Sequence, residues 1–179
     1  MSVHLVVVAN MDGLPLYFFQ TDLRLEVDPT LFAGFISAAA AFGQAVRADL
    51  VLTDLSLGEL RLYFYQGEKA LTVLGAKFEG YTESERTIKE FENLPRYQKI
   101  VKILGNSFHQ LYGDRIDNWD GRMDAFDDFE TTVDLVLKKE TQFLEHKFLK
   151  LLAEFSKGAV SQAELVDAIW DLVEDSENQ

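Results

Sequence analysis

The chain of 179 residues contains no cysteine, three prolines, three histidines, and 17 basic residues against 30 acidic ones. Each shortage excludes something. Without cysteine there is no disulfide scaffold, thiolate zinc site, iron–sulfur cluster or cysteine nucleophile, and a reducing, cytoplasmic setting is the expected one. The formal charge of −13 argues against a nucleic-acid binder that neutralises phosphates, and against general adhesion to anionic lipid. No window approaches the roughly 20 apolar residues that span a bilayer. The start, Met1-Ser2-Val3-His4, lacks the basic region of a signal peptide. Neither a nucleic-acid partner nor an integral membrane segment is therefore expected. What the chain does have is 47% hydrophobic and 12% aromatic residues, enough to build a core rather than remain disordered. Its length suits one domain with a long extension, or one larger core.

The first 80 residues read mostly as strands. Val3 to Val8 is a β-branched run ending at Asn10-Met11-Asp12-Gly13, where glycine supplies the positive φ of a tight hairpin. Leu14 to Phe19 returns as a second strand, with Pro15 confined to a strand start or an edge because it lacks an N–H. The period then changes. Asp28-Pro29 reads as an N-cap followed by proline in the first turn. Leu31, Phe32, Phe35, Ile36, Ala39, Phe42 and Val46 follow at helical spacing, which predicts an amphipathic helix of about five turns packed on a sheet. Strands are expected again at 50–55, 60–66 and 70–78. In the middle one, Leu60, Leu62 and Phe64 share one face and Arg61, Tyr63 and Tyr65 the other.

From residue 82 the pattern is helical. Thr82-Glu83-Ser84-Glu85 is a capping box. Pro95 is expected to kink or break the helix, a second stripe runs from Tyr97 to Leu111, and Gly113 reads as a stop. Six of the fifteen residues from Asp114 to Asp128 are aspartate. Placing Gly121 sixth in a calcium loop puts Ile116 first, so the register fails. The aspartates read instead as caps and turns, with Trp119 and Phe126 pinning the loop. A further amphipathic stripe runs from Phe126 to Phe155, interrupted by Glu140. After Gly158, Ser161 to Glu164 form a second capping box ahead of Leu165, Val166, Ile169, Trp170 and Val173.

Catalytic signals are few. His4, His109 and His146 have no second histidine at metal-binding helical spacing. Glycine-rich phosphate loops and the G-x-S-x-G elbow do not occur. No catalytic residue, cofactor or metal site is assigned.

The order of elements is ββαβββα, which predicts an α+β protein: a five-stranded antiparallel sheet covered by helices, with a C-terminal helical extension. This order comes with Asp12-Gly13-Leu14-Pro15-Leu16-Tyr17 at the first turn, Leu31 to Ala38 on the first helix, and Leu111-Tyr112 on the later one. Together they resemble the longin/Roadblock group of profilin-like domains, and more narrowly the longin-like proteins of archaea. The resemblance covers residues 1–135, leaving 136–179 as the extension, packed on the domain or adjoining it.

The resemblance implies a non-enzymatic protein-binding module, a scaffold or regulator of a small Ras-like GTPase or of a trafficking-type complex. It also implies protein partners: a GTPase or another longin/Roadblock-like chain, with homodimerisation. Fold alone does not establish this. The chain departs from longin SNAREs, because Glu140 and Gly158 deny it the unbroken heptads of a fusion helix. From the residues themselves, an exposed sheet edge and the face bearing Arg61, Tyr63 and Tyr65 form a candidate interface, with Trp119 and Trp170 as further candidates. The competing reading of Tyr63 and Tyr65 is that helices 82–112 and 127–155 cover them. Two other functional classes stay open. A small-ligand sensor of PAS/GAF plan would show a cavity lined by Phe35, Phe42 and Phe64, and an enzyme would show titratable residues converging in one pocket. Net charge is −4 over residues 1–80, +1 over 81–113 and −10 over 114–179, so the acidity lies mainly in the aspartate loop and the extension.

Overall fold

The computed structural model describes residues 2–21, 26–47, 51–78 and 80–138. Five strands, β1 (Ser2–Asn10), β2 (Pro15–Gln20), β3 (Asp54–Leu57), β4 (Leu60–Gln66) and β5 (Ala70–Lys77), form one sheet in the order β2-β1-β5-β4-β3. Every neighbouring pair is antiparallel. Helix α1 (Pro29–Val46) lies between β2 and β3 in sequence, and α2 (Glu83–Asp117) follows the sheet. A short 3-10 turn (Met123–Phe126) then leads into helical residues 129–138, labelled α3. The ββαβββα order and the α+β class are those expected from sequence.

Two apolar layers sandwich the sheet, and strand alternation assigns the residues to them. Val6, Val8, Tyr63, Leu74 and Ala76 face the α2 side, where Tyr97, Ile100, Val101, Leu104 and Phe108 cover them. Leu5, Val7, Leu62, Phe64 and Val73 face the other side, under Ala33 and Ile36 of α1. The first turn forms as its residues dictate. The Asn10 side-chain oxygen accepts from the backbone N–H groups of Asp12 and Leu14, and Gly13 takes φ +82°. Pro15 opens β2, an edge strand, where its missing N–H breaks no ladder bond.

Several boundaries differ from expectation. The strand expected at 50–55 begins at Asp54 and runs on to Leu57; residues 48–50 lie outside the described residues. The turn at Gly58 sets this register by placing Leu57 opposite Leu60. Pro95 neither breaks nor ends α2, which runs through it from Glu83 to Asp117, 35 residues in all. Leu94 on one side of it and Tyr97, Ile100 and Val101 on the other pack on the same sheet face. That packing outweighs the roughly 3 kcal/mol that an interior proline costs a helix. Gly113 is no stop either. Tyr112 and Ile116 pack into the core on either side of it, and Lys69 Nζ donates to its carbonyl (3.1 Å) and to Asp117 (2.6 Å), holding the β4–β5 hairpin against these last turns. Leu111, expected on the buried stripe, is exposed, and Tyr112 is buried in its place.

The capping box is as expected. Thr82 N–H donates to the Glu85 carboxylate at 2.8 Å, and the Glu85 N–H donates back to Thr82 Oγ1 at 3.4 Å. Hydrogen bonds from the Thr82 side chain and then its backbone hold the Glu85 carboxyl below its usual range. A depressed carboxyl stabilises the fold fully at neutral pH, and this contribution disappears as the pH falls through the unfolded and then the folded pKa. Thr82→Ala should therefore lower the denaturation midpoint at neutral pH, and lower it less in acid. Urea midpoints at pH about 7 and about 3 check this.

Gly105 marks a close approach of α2 to the sheet. A Cβ there would lie 2.3 Å from Tyr65 Cδ1 and 3.0 Å from Thr72 Oγ1, and the Tyr65 hydroxyl is tied to Asn106 Oδ1 at 2.6 Å. Gly105→Ala gains about 1 kcal/mol of helix propensity, but overpacking of about 1–3 kcal/mol opposes it. A net loss is expected, read as a lower denaturation midpoint.

Candidate protein interface

The expected patch on β4 is divided between the core and its rim. Tyr63 is fully buried, stacked on Tyr97 with ring centroids 5.0 Å apart. Tyr65 is half-buried beneath α2 and donates to Asn106. Arg61 is half-buried and paired with Asp54 of β3. The helices that must cover one sheet face therefore take the tyrosines. Trp119 is half-buried, donates its indole N–H to the Arg122 carbonyl at 2.7 Å, and packs on Phe126, a wholly buried ring. Trp170 lies outside the described residues.

The aspartate-rich segment is held from within. Arg115 donates to the Ala125 carbonyl and lies over the Tyr112 ring at 5.1 Å. Burial, then a hydrogen bond and charge from Asp128, pushes the Tyr112 phenol up to about 12. Among the described residues no three histidine or carboxylate side chains gather to hold a metal ion. His4 lies 3.4 Å from Thr21 Oγ1, His109 is exposed on α2, and His146 lies outside the described residues.

Sequence periodicity missed the surface that stands out most. Of the stripe expected to bury α1, Ile36 is buried, Phe32 and Ala39 are half-buried, and Leu31, Phe35, Phe42 and Val46 are exposed. Leu31 and Phe42 show 76% and 71% of their surfaces. The 18 residues of α1 contain no charge at all, so the helix is apolar on both sides and only one side meets the sheet. By length and mean hydropathy, 1.4, it is the one described helix long and apolar enough to cross a membrane, where the sequence reading expected no such window. Phe35 and Phe42 are exposed and Phe64 is buried, so among the described residues these three do not line the cavity that a small-ligand sensor would show. A shallow depression of about 120 Å³ lies nearby, lined in part by Asn10, Ser37, Gln44 and Gln66, and by none of the three phenylalanines.

The second open feature is a sheet edge. The 3-10 turn lies against β2, and Phe129 meets Tyr17 edge-on at 5.2 Å. Among the described residues, no strand pairs with the outer edge of β3. The Phe64 N–H donates to the Thr53 carbonyl at 2.9 Å. Antiparallel alternation then turns Leu55 and Leu57 inward to β4, and leaves the N–H and C=O groups of Asp54 and Ser56 pointing outward. Leu57 and Val51 beside this edge are exposed.

No protein-family model matches the chain, and no curated protein matches it. Three solved structures of MglB proteins are similar to part of it, each over 56% of this chain. An MglB described in a tetrameric arrangement is 18% identical over 78% of its own length, with a TM-score of 0.36. MglB of Myxococcus xanthus is 11% identical over 84%, with a TM-score of 0.35. The gliding protein MglB of Thermus thermophilus is 17% identical over 78%, with a TM-score of 0.37.

Proposed function

We propose that the chain is a non-enzymatic protein-binding module that pairs with a second copy along β3 and serves as a scaffold or regulator of a small Ras-like GTPase. The observation that carries the pairing is the free edge of β3, with Asp54 and Ser56 directing their backbone groups outward. Such an edge is a template for strand addition. Two identical antiparallel edges pair about a two-fold axis. A register centred on Ser56 sets Leu55 of one chain opposite Leu57 of the other, on the face that carries α1, and extends two five-stranded sheets into one. Asp54 brings little charge repulsion to this contact, because Arg61 already pairs with it. The GTPase half of the reading rests on the longin/Roadblock resemblance over residues 1–135.

Mass measurement by light scattering across a concentration series, followed by affinity capture with and without a non-hydrolysable GTP analogue, tests both halves. A concentration-dependent dimer and nucleotide-dependent capture of a small GTPase are expected. A strictly monomeric protein whose capture ignores the nucleotide would overturn the reading.

A further inference from the structure

In a chain whose formal charge is −13, the stretch from Asn93 to Gly113 carries no acidic residue, while Arg96, Lys99, Lys102 and His109 all fall within it. The whole stretch lies on α2. Tyr97, Ile100, Val101, Leu104 and Phe108 form its buried line. Steps of three and four residues gather Lys99, Lys102, Asn106 and His109 on the other side of the helix, and all four are exposed. Ile103 stands beside them with 38% of its surface open. Arg96 lies one turn earlier, over the Tyr97 ring at 5.7 Å.

The two lysines are not neutralised locally. Lys89 leans on Glu92 and Lys138 on Asp134, but Lys99 and Lys102 make no ion pair among the described residues. Two ammonium groups three residues apart on a helix repel each other. An opposite charge brought from outside relieves that repulsion.

The size of the strip selects the kind of partner. From Arg96 to His109 the helix rises about 20 Å, and carboxylates bound the strip at both ends: Glu92 before it, Asp114 and Asp117 after it. A bilayer surface or a nucleic acid extends beyond this length, and its phosphates would meet those carboxylates as well as the lysines. A short acidic peptide segment meets the lysines alone, since about six extended residues at about 3.3 Å each cover the strip.

We infer that this side of α2 is a docking strip for a short acidic segment of a partner protein. Carboxylates of the segment pair with Lys99 and Lys102, and an apolar side chain between them rests on Ile103. Complementary charge of this kind sets specificity and speeds encounter. The strip and the β3 edge are on different elements, so the inference goes beyond the proposed function and does not require it.

A fluorescent peptide with one leucine among glutamates, and its counterpart with glutamines, are titrated into the full chain and followed by anisotropy. Saturable binding of the glutamate peptide, weakened by salt and absent for the glutamine peptide, is expected. Lys99→Glu combined with Lys102→Glu should weaken it about tenfold or more, through lost pairs and new repulsion. Arg122→Glu combined with Lys138→Glu changes the net charge equally at two exposed positions outside the strip, and should leave binding within about twofold. Ile103→Ala should weaken binding without altering its salt dependence. Failure of the glutamate peptide to bind, or equal losses from the two charge-reversed pairs, would overturn the inference. So would phosphatidylserine vesicles or a single-stranded oligonucleotide that bind more tightly than the peptide and are released by the Lys99 and Lys102 changes. Mass measurements across a concentration series should be unaffected by those changes, which keeps this outcome separate from pairing along β3.

Discussion

Phe108→Ala is expected to cost about 3–5 kcal/mol, the range for removing a large buried aromatic side chain. Phe108 has no exposed surface. Its ring meets Phe129 edge-on at 4.9 Å, Phe126 at 5.3 Å and Tyr112 at 5.0 Å. One side chain thus joins α2, the 3-10 turn and α3 to a single cluster, and that cluster packs on Leu16 and Tyr17 of β2. Domains of this size are stable by about 5–15 kcal/mol, so the loss is a large share of the total. Chemical denaturation should show it as a lower midpoint with an unchanged slope. A loss below about 0.5 kcal/mol, the level of an ordinary surface substitution, would mean that the segment from 126 to 138 does not pack as described.

The second large effect is on assembly. Ser56→Pro removes an N–H that points away from β4, so no ladder bond of the sheet is broken, and proline is tolerated on sheet edges for this reason. In a chain paired along β3 the same N–H is a donor to the partner. Because two copies meet, two bonds are lost per pair, and the ring obstructs the approach of the other strand. Losing about 1.4 kcal/mol already weakens association tenfold, so a rise of at least about tenfold in the dissociation constant is expected. The denaturation midpoint of the dilute chain should move little.

Much of the fold is legible in sequence because the strong signals are local. The Asp28-Pro29 start of α1, the capping box at Thr82 and Glu85, the glycine turn at Gly13 and the alternation along β4 all depend on a few neighbouring residues, and all appear as read. The failures arise where distant packing overrules a local rule. Pro95 and Gly113 are helix breakers by propensity, yet the sheet face and Lys69 hold the helix through both. Periodicity also finds apolar positions without saying which side of a helix the core will take. On α1 nearly every position is apolar or small, so the stripe starting at Leu31 was indistinguishable from the buried line through Ala33 and Ile36. The absence of any charge over its 18 residues was the signal that both sides need cover. That the sheet keeps an open edge was legible in the order of elements, and which strand carries it was not. Tyr63 and Tyr65 look like contact residues by type, but α2 had first claim on their face.

Amide hydrogen exchange of Asp54 and Ser56, followed over a range of protein concentrations, tests the pairing along β3 most directly. These two N–H groups point outward from the edge and should exchange freely in dilute solution. As the protein is concentrated, pairing should protect both, while the amides of Leu55 and Leu57, already bonded to β4, change less. Free exchange of Asp54 and Ser56 at every concentration would contradict the account.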